Sequence, residues 1–273
     1  MANKNAIQNY EQQFYLSGIL LSGVTSLNGG YSVEESPINI IGKGYTYPVM
    51  QNPLVGNFSI SKYYIGKDPL LDYVGDNPIS GSINFVSPSS DDQKSFGFES
   101  GFLTEYSVAA GIGRIPESSA SIVVYGDIGS GINASGNTPH PNIEIPNQGS
   151  ISVDCSGYQT NRVTDFSYTI RIDRNPIYKI GSPFPVQVDR GCPITEEISF
   201  TLEVDDLEVT KIQEYLISPK QQSLNLSFSN PINSSGIDTF SIPKARLINQ
   251  SISSSANDVL TVNLNYISYT NKK

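Results

Sequence analysis

One histidine, two cysteines and four adjacent carboxylate pairs are the raw material for catalysis in this 273-residue chain. His140 stands between Pro139 and Pro141, in a stretch dominated by Gly, Asn and Pro. A serine or cysteine nucleophile needs a histidine base held by a third group. A base tethered to the least regular part of the chain is badly placed for that. The carboxylate pairs are Glu34-Glu35, Asp91-Asp92, Glu196-Glu197 and Asp205-Asp206. A glycosidase needs two carboxylates facing each other across a cleft, whereas neighbours on a strand point to opposite faces. Cys155 and Cys192 with one histidine fall short of a zinc ligand set. Two ordinary buried cysteines in a reducing compartment are expected, with a disulfide between them as the alternative. The Gly-rich stretches from Gly111 and Gly129 carry no Walker lysine and open no helix after a strand. Gly111 and Gly113 read as a bulge in a long hairpin strand. No catalytic residue, cofactor site or metal site is expected.

The chain repeats itself instead. Val24-Thr25 matches Val163-Thr164, Pro37-Ile38 matches Pro176-Ile177 and Ile41-Gly42 matches Ile180-Gly181, each at the same spacing (163 − 24 = 139). Ser17-Gly18 and Ser156-Gly157 extend the match upstream, and Phe85 with Phe228 extends it downstream at a spacing of 143 (228 − 85). Neither cysteine is repeated, since Leu16 and Pro53 stand opposite them. A repeat of this extent reports architecture. Each copy reads as three strands, a short helix, a strand and two long strands. Ser, Ile, Val, Tyr, Asn and Gly dominate, which favours β structure joined by tight turns. The expected fold is mainly β: two tandem β-sandwich or half-barrel domains, each with one short flanking helix and a long hairpin. Their expected bounds are 1–130 and 150–273, with a Gly/Pro/Asn-rich linker at 131–149.

Within the copies, Gly56–Ile65 alternates as a strand with one face on a core. A turn at Ser36-Pro37 separates two strands. Asp68-Pro69 is a helix start, with Asp68 as the cap and Leu70, Leu71 and Val74 as the apolar stripe. In the second copy Asp205 or Asp206 caps, Leu207, Ile212, Tyr215 and Leu216 form the stripe, and Pro219 ends it. Capping explains these acidic residues better than metal binding. Ile79–Phe85 and Ser223–Phe228 alternate as edge or sandwich strands, and polar loops follow both. The segment from Gly126 to Ser150 is too long to be wholly structureless and is expected to lie partly along a surface.

Composition excludes several classes. No apolar run is long enough to span a bilayer, and the polar N-terminus lacks a signal peptide. The net charge of −9 repels phosphate backbones, so specific nucleic-acid binding is not expected. The acidity reads either as plain solubility or as a wall past which DNA moves without sticking. The absence of Trp weakens a sugar-binding reading, and the 16 tyrosines suit subunit interfaces.

The order of elements resembles that of the tail tube (major tail) proteins of long-tailed bacteriophages, in the duplicated-domain form. The likeness is carried by "GGYSVEESPINIIGKGY", "PLVGNFSISKYYIGKDPLLDYVGDNPISGSINF", "NQGSISVDCSGYQTNRVTDFSYTI" and "SFTLEVDDLEVTKIQEYL". It implies a structural virion protein with no catalysis, assembled in the host cytoplasm and located in the tail. It implies homo-oligomeric rings, a trimer being favoured, stacked into a tube that contacts other tail proteins. Genomic DNA passes through the lumen without specific binding, and no membrane is involved. Ring-to-ring contacts are expected from the loops at 86–95 and 229–239 and from the linker. Alternatives are another duplicated phage component (tail-end, baseplate or capsid-decorating) and, more distantly, a carbohydrate-binding adhesion module.

Overall fold

A computed structural model describes residues 11–33, 35–50, 54–85, 94–136, 144–146, 150–155, 162–203, 221–230, 236–256 and 259–271. The described chain is mainly β. Its first half runs β1 (Gln12–Leu16), β2 (Ile19–Leu20), β3 (Val24–Ser32), β4 (Glu35–Ile40), β5 (Gly44–Met50) and β6 (Val55–Tyr63). A 3-10 helix at Pro69–Tyr73 follows, then β7 (Ile79–Phe85), β8 (Lys94–Gly111), β9 (Glu117–Val124) and β10 (Ile128–Ser130). The second half runs β11 (Ile151–Cys155), β12 (Val163–Arg171), β13 (Arg174–Ile177), β14 (Gln187–Arg190) and β15 (Ile194–Glu203). It ends with β16 (Gln221–Ser229), β17 (Gly236–Ser253) and β18 (Thr261–Thr270).

Both halves pair their strands in the same order. The first half is β1-β7-β8-β9-β6-β3, and the second is β11-β16-β17-β18-β15-β12. The irregularities repeat as well. β3 bulges between Val24 and Ser26 against β6, and β12 bulges between Val163 and Asp165 against β15. At each bulge a threonine hydroxyl donates to the partner strand: Thr25 to Ser61 O at 3.1 Å and Thr164 to Thr201 O at 3.2 Å. A second shift falls between Ile79 and Gly81 and again between Gln222 and Leu224. A third falls between Leu103 and Glu105 and again between Leu247 and Asn249. Bulges are local backbone solutions that chance does not place in register. The last one sets the structural spacing of the long strands at 144 (247 − 103).

The long strands β8 and β17 each serve two layers. The first part of β8 pairs with β7 and β10, and the rest pairs with β9 and β12. Pairing is thus continuous through β3-β6-β9-β8-β12-β15-β18-β17, an eight-strand layer crossing both halves. In this layer β15 alternates strictly: Ile194, Glu196, Ile198, Phe200 and Leu202 point inward and the residues between them outward. One apolar cluster fills the inner side, with Phe58, Ile60, Tyr106 and Ile122 from the first half and Phe166, Phe200, Leu226 and Tyr266 from the second.

Several expectations are refined. The turn between the hairpin strands lies not at Ser36-Pro37 but at Ile41–Lys43, where Gly42 supplies φ +86°. Pro37 instead sits inside β4, opposite Pro48. Gly111 ends β8, and Gly113, at φ +73°, lies in the turn that follows, so neither is a bulge. Lys94 and Ser95 belong to β8, Ser229 to β16 and 236–239 to β17, so the two supposed tip loops are shorter than expected. Their centres lie outside the described residues, as do the helix expected at 205–219 and much of the linker. The described linker does follow a surface: Ile128–Ser130 pairs with β8, and Gly18 N donates to Ala134 O at 3.0 Å.

Candidate assembly interface

The outer side of the eight-strand layer is a continuous surface, rich in small polar residues. One row of partners crosses seven strands: Ser26, Ser61, Ser119, Ser107, Thr169, Glu197 and Ile267. The Ser107 and Ser119 hydroxyls lie 2.7 Å apart, and Ser199 donates to Asn263 Oδ1 at 3.3 Å. Arg171 sits between two carboxylates on this face, 2.6 Å from Glu197 and 3.4 Å from Glu105. Asp165 adds a third carboxylate, so the patch stays net negative. Such a face is hydrated, short-chained and repulsive to polyanions.

The two halves meet edge to edge. β12 pairs antiparallel with β8 from Asp165↔Gly111 to Arg171↔Glu105. The seam is dry on its inner side, where Phe166, Tyr168 and Ile170 lie beside Ala110, Val108 and Tyr106, all buried. Arg174 fastens the end of the seam. Its Nε donates to Leu103 O and its Nη2 to Gly75 O, both at 2.9 Å, and its guanidinium lies 5.6 Å from the centre of the Phe102 ring. Burial pulls the Arg174 pKa below the usual arginine value, while Asp76, 3.6 Å away, opposes the shift.

The same two edges occur again, open. β3 occupies the place in the first half that β12 has in the second, and among the described residues only β6 pairs with it. The last part of β17 corresponds to the seam-forming part of β8, and there only β18 pairs with it. The apolar groups that the seam buries have exposed counterparts at these edges: Tyr31 is 55% and Ile252 57% exposed. Gln250, at the place of buried Tyr106, has both side-chain polar atoms out of solvent and without a hydrogen-bond partner. Neither β3 nor Leu247–Ser253 contains a charged residue or a proline. Edges that must stay free usually carry such residues.

The sequence-level candidates for chemistry are dispersed. Asp68 is the expected cap, accepting from Leu70 N at 3.1 Å. It is also fully buried, accepting from Tyr106 at 3.0 Å and Ser118 at 2.7 Å, with Lys62 Nζ at 3.3 Å. Glu196 and Glu197 point to opposite faces: Glu196 is buried near the Tyr168 hydroxyl and Glu197 is paired with Arg171. His140, Glu34, Asp91, Asp92, Asp205 and Asp206 lie outside the described residues. Cys192 is a free thiol and, contrary to expectation, exposed, because it lies in the loop just ahead of β15 and not on its inward face. It borders a cleft of about 790 Å³ that also holds Asp76 and Arg190, which pair with each other at 3.3 Å. Among the described residues no cluster of His, Cys, Asp and Glu could hold a metal. No helix there is long and apolar enough to cross a membrane.

Sequence inspection missed two surfaces. The β3 and β17 edges were hidden because alternation reveals faces, not edges. The hairpin tips coincide with the matched Ile41-Gly42 and Ile180-Gly181, which the sequence showed as a repeat and not as turns. Both isoleucines are fully exposed, and both glycines take left-handed φ (+86° and +88°). No protein-family model matches the chain, and no curated protein matches it.

Proposed function

We propose that this chain is a self-assembling structural subunit of a tube, of the phage tail kind, and carries no catalysis. The observation that carries this reading is the seam: an edge pairing closed once inside the chain is offered open at both of its ends. A heterologous contact of this type generates rings or helical filaments from identical units. Closing sheets across subunits removes the exposed edges. In the ring, three copies supply six halves, and the polar, net negative face of the eight-strand layer lines the lumen. Hydroxyl and amide side chains there let DNA slide past without ion pairing. Other tail proteins meet the ends of the tube.

Negative-stain microscopy of the purified protein at high concentration tests this. Hollow tubes with a regular ring repeat are expected. Discrete monomers at every concentration and salt condition count against the proposal.

A further inference from the structure

From the internal seam we infer that β3 of one copy pairs antiparallel with residues 249–255 of β17 and its extension in the next copy, in a single defined register. This rests on the tube reading and specifies its contact. Strand equivalence transfers the seam residue by residue. β12 maps to β3 at a spacing of 139 (163 − 24), and β8 maps to β17 at 144 (247 − 103). Asp165↔Gly111 therefore becomes Ser26↔Ser255, and Arg171↔Glu105 becomes Ser32↔Asn249. The pairs between are Leu27↔Ser254, Asn28↔Ser253, Gly29↔Ile252, Gly30↔Ser251 and Tyr31↔Gln250.

The register fits on three independent grounds. First, faces match. Asn28, Gly30 and Ser32 belong to the polar face, and so do Ser253, Ser251 and Asn249, so the polar row continues across the join. A slip by one residue would set Tyr31 and Ile252 among the hydroxyls. Second, apolar surfaces meet. Gly29 has no side chain, and Phe58 lies over it, so close that a Cβ there would collide with its ring. Exposed Ile252 is placed beside that ring, as buried Val108 lies beside the buried Tyr168 ring in the internal seam. Third, polarity matches. The Tyr31 side chain lands beside the unpartnered Gln250 amide, where its hydroxyl can serve as partner.

Cysteine cross-linking tests the register. In a background with Cys155→Ser and Cys192→Ser, Gly30→Cys with Ser251→Cys puts two thiols on directly paired positions of the polar face. Thr169→Cys with Ser107→Cys is the internal control, and Gly30→Cys with Gln250→Cys is the slipped control, its thiols on opposite faces. Oxidation is expected to convert monomer into a ladder of head-to-tail multimers for the first pair and to leave the slipped pair monomeric on a denaturing gel. Rings or tubes that form normally yet yield no ladder overturn the register and leave the tube reading intact. A chain that is monomeric by sedimentation at every concentration overturns both. Ile252→Lys, on an exposed side chain, should abolish assembly with unchanged thermal unfolding of the monomer. Unimpaired assembly of that variant also counts against the contact.

Discussion

Tyr64 of the first half donates a 2.9 Å hydrogen bond to Asp238 of the second, while its ring stacks on Phe228 at a centroid distance of 4.6 Å. One side chain thus joins the halves through both polar and apolar contact, away from the β8–β12 seam. Burial, reinforced by Asp238, pushes the Tyr64 phenol far above its usual pKa of 10.0. Tyr106 and Tyr168 are also raised, chiefly by burial, with Asp68 and Glu196 adding to the effect. The folded state keeps these protons while the unfolded chain loses them near pH 10. Stability is therefore full below pH 10 and falls as pH rises above it, by about 1.4 kcal/mol per pH unit for each such tyrosine. Urea midpoints measured from pH 8 to 12 should show this fall. Tyr64→Phe should reduce its slope by one proton; an unchanged slope would contradict the assignment.

Lys62 and Asp68 form a buried ion pair that the second half lacks, Leu202 standing where Lys62 would be (202 − 62 = 140, the β6-to-β15 spacing). Removing one partner strands the other charge. Asp68→Ala should destabilise by about 3–5 kcal/mol. Lys62→Leu with Asp68→Asn should be much milder, because no charge is left buried. Chemical denaturation of both variants checks the order, and a milder Asp68→Ala would refute it.

Arg174 is the clasp of the internal seam. Lysine cannot reproduce its fork of donors. Arg174→Lys should leave at least one of the Leu103 and Gly75 carbonyls without its partner and cost about 1–3 kcal/mol. A lowered midpoint in thermal unfolding is expected, and an unshifted midpoint would show the clasp to be incidental.

Ile41 and Ile180 project from equivalent hairpin tips into solvent. Nothing among the described residues accounts for two fully exposed isoleucines, and stacking in the proposed tube would supply a use. Ile41→Asp with Ile180→Asp should leave monomer stability within about 0.5 kcal/mol while shortening or abolishing tubes, with single rings persisting. Tubes of normal length under microscopy would remove the tips from the stacking surface.

The repeat was legible because the two copies share their turns: Ile-Gly at the hairpin tip and Val-Thr at the bulge. The β class was legible from alternation, and Asp68-Pro69 announced a short capped helix, which the structure shows to be of the 3-10 kind. Lys62 was not legible as a core residue. It follows Phe58 and Ile60 on the inward face, but its counter-ion is outside the strand, so nothing local explains a lysine there. The double service of β8 was equally hidden. Period-2 patterning says which face is buried, whereas the change of neighbours near Gly101 depends on strands far apart in sequence. The open edges of β3 and β17 emerged only by comparing their exposure with that of β12 and β8.

Covalent continuity gives the β8–β12 seam a different kinetic standing from the open edges. Its partners are tethered, so they meet at an effective concentration on the order of millimolar however dilute the protein. That pairing is first order in chain, and the proposed β3–β17 pairing would be second order. In the proposed assembly every chain would therefore enter an encounter as a preformed dimer of halves with one donor end and one acceptor end. Fewer bodies would then have to collide to close a ring than if each half were a separate chain.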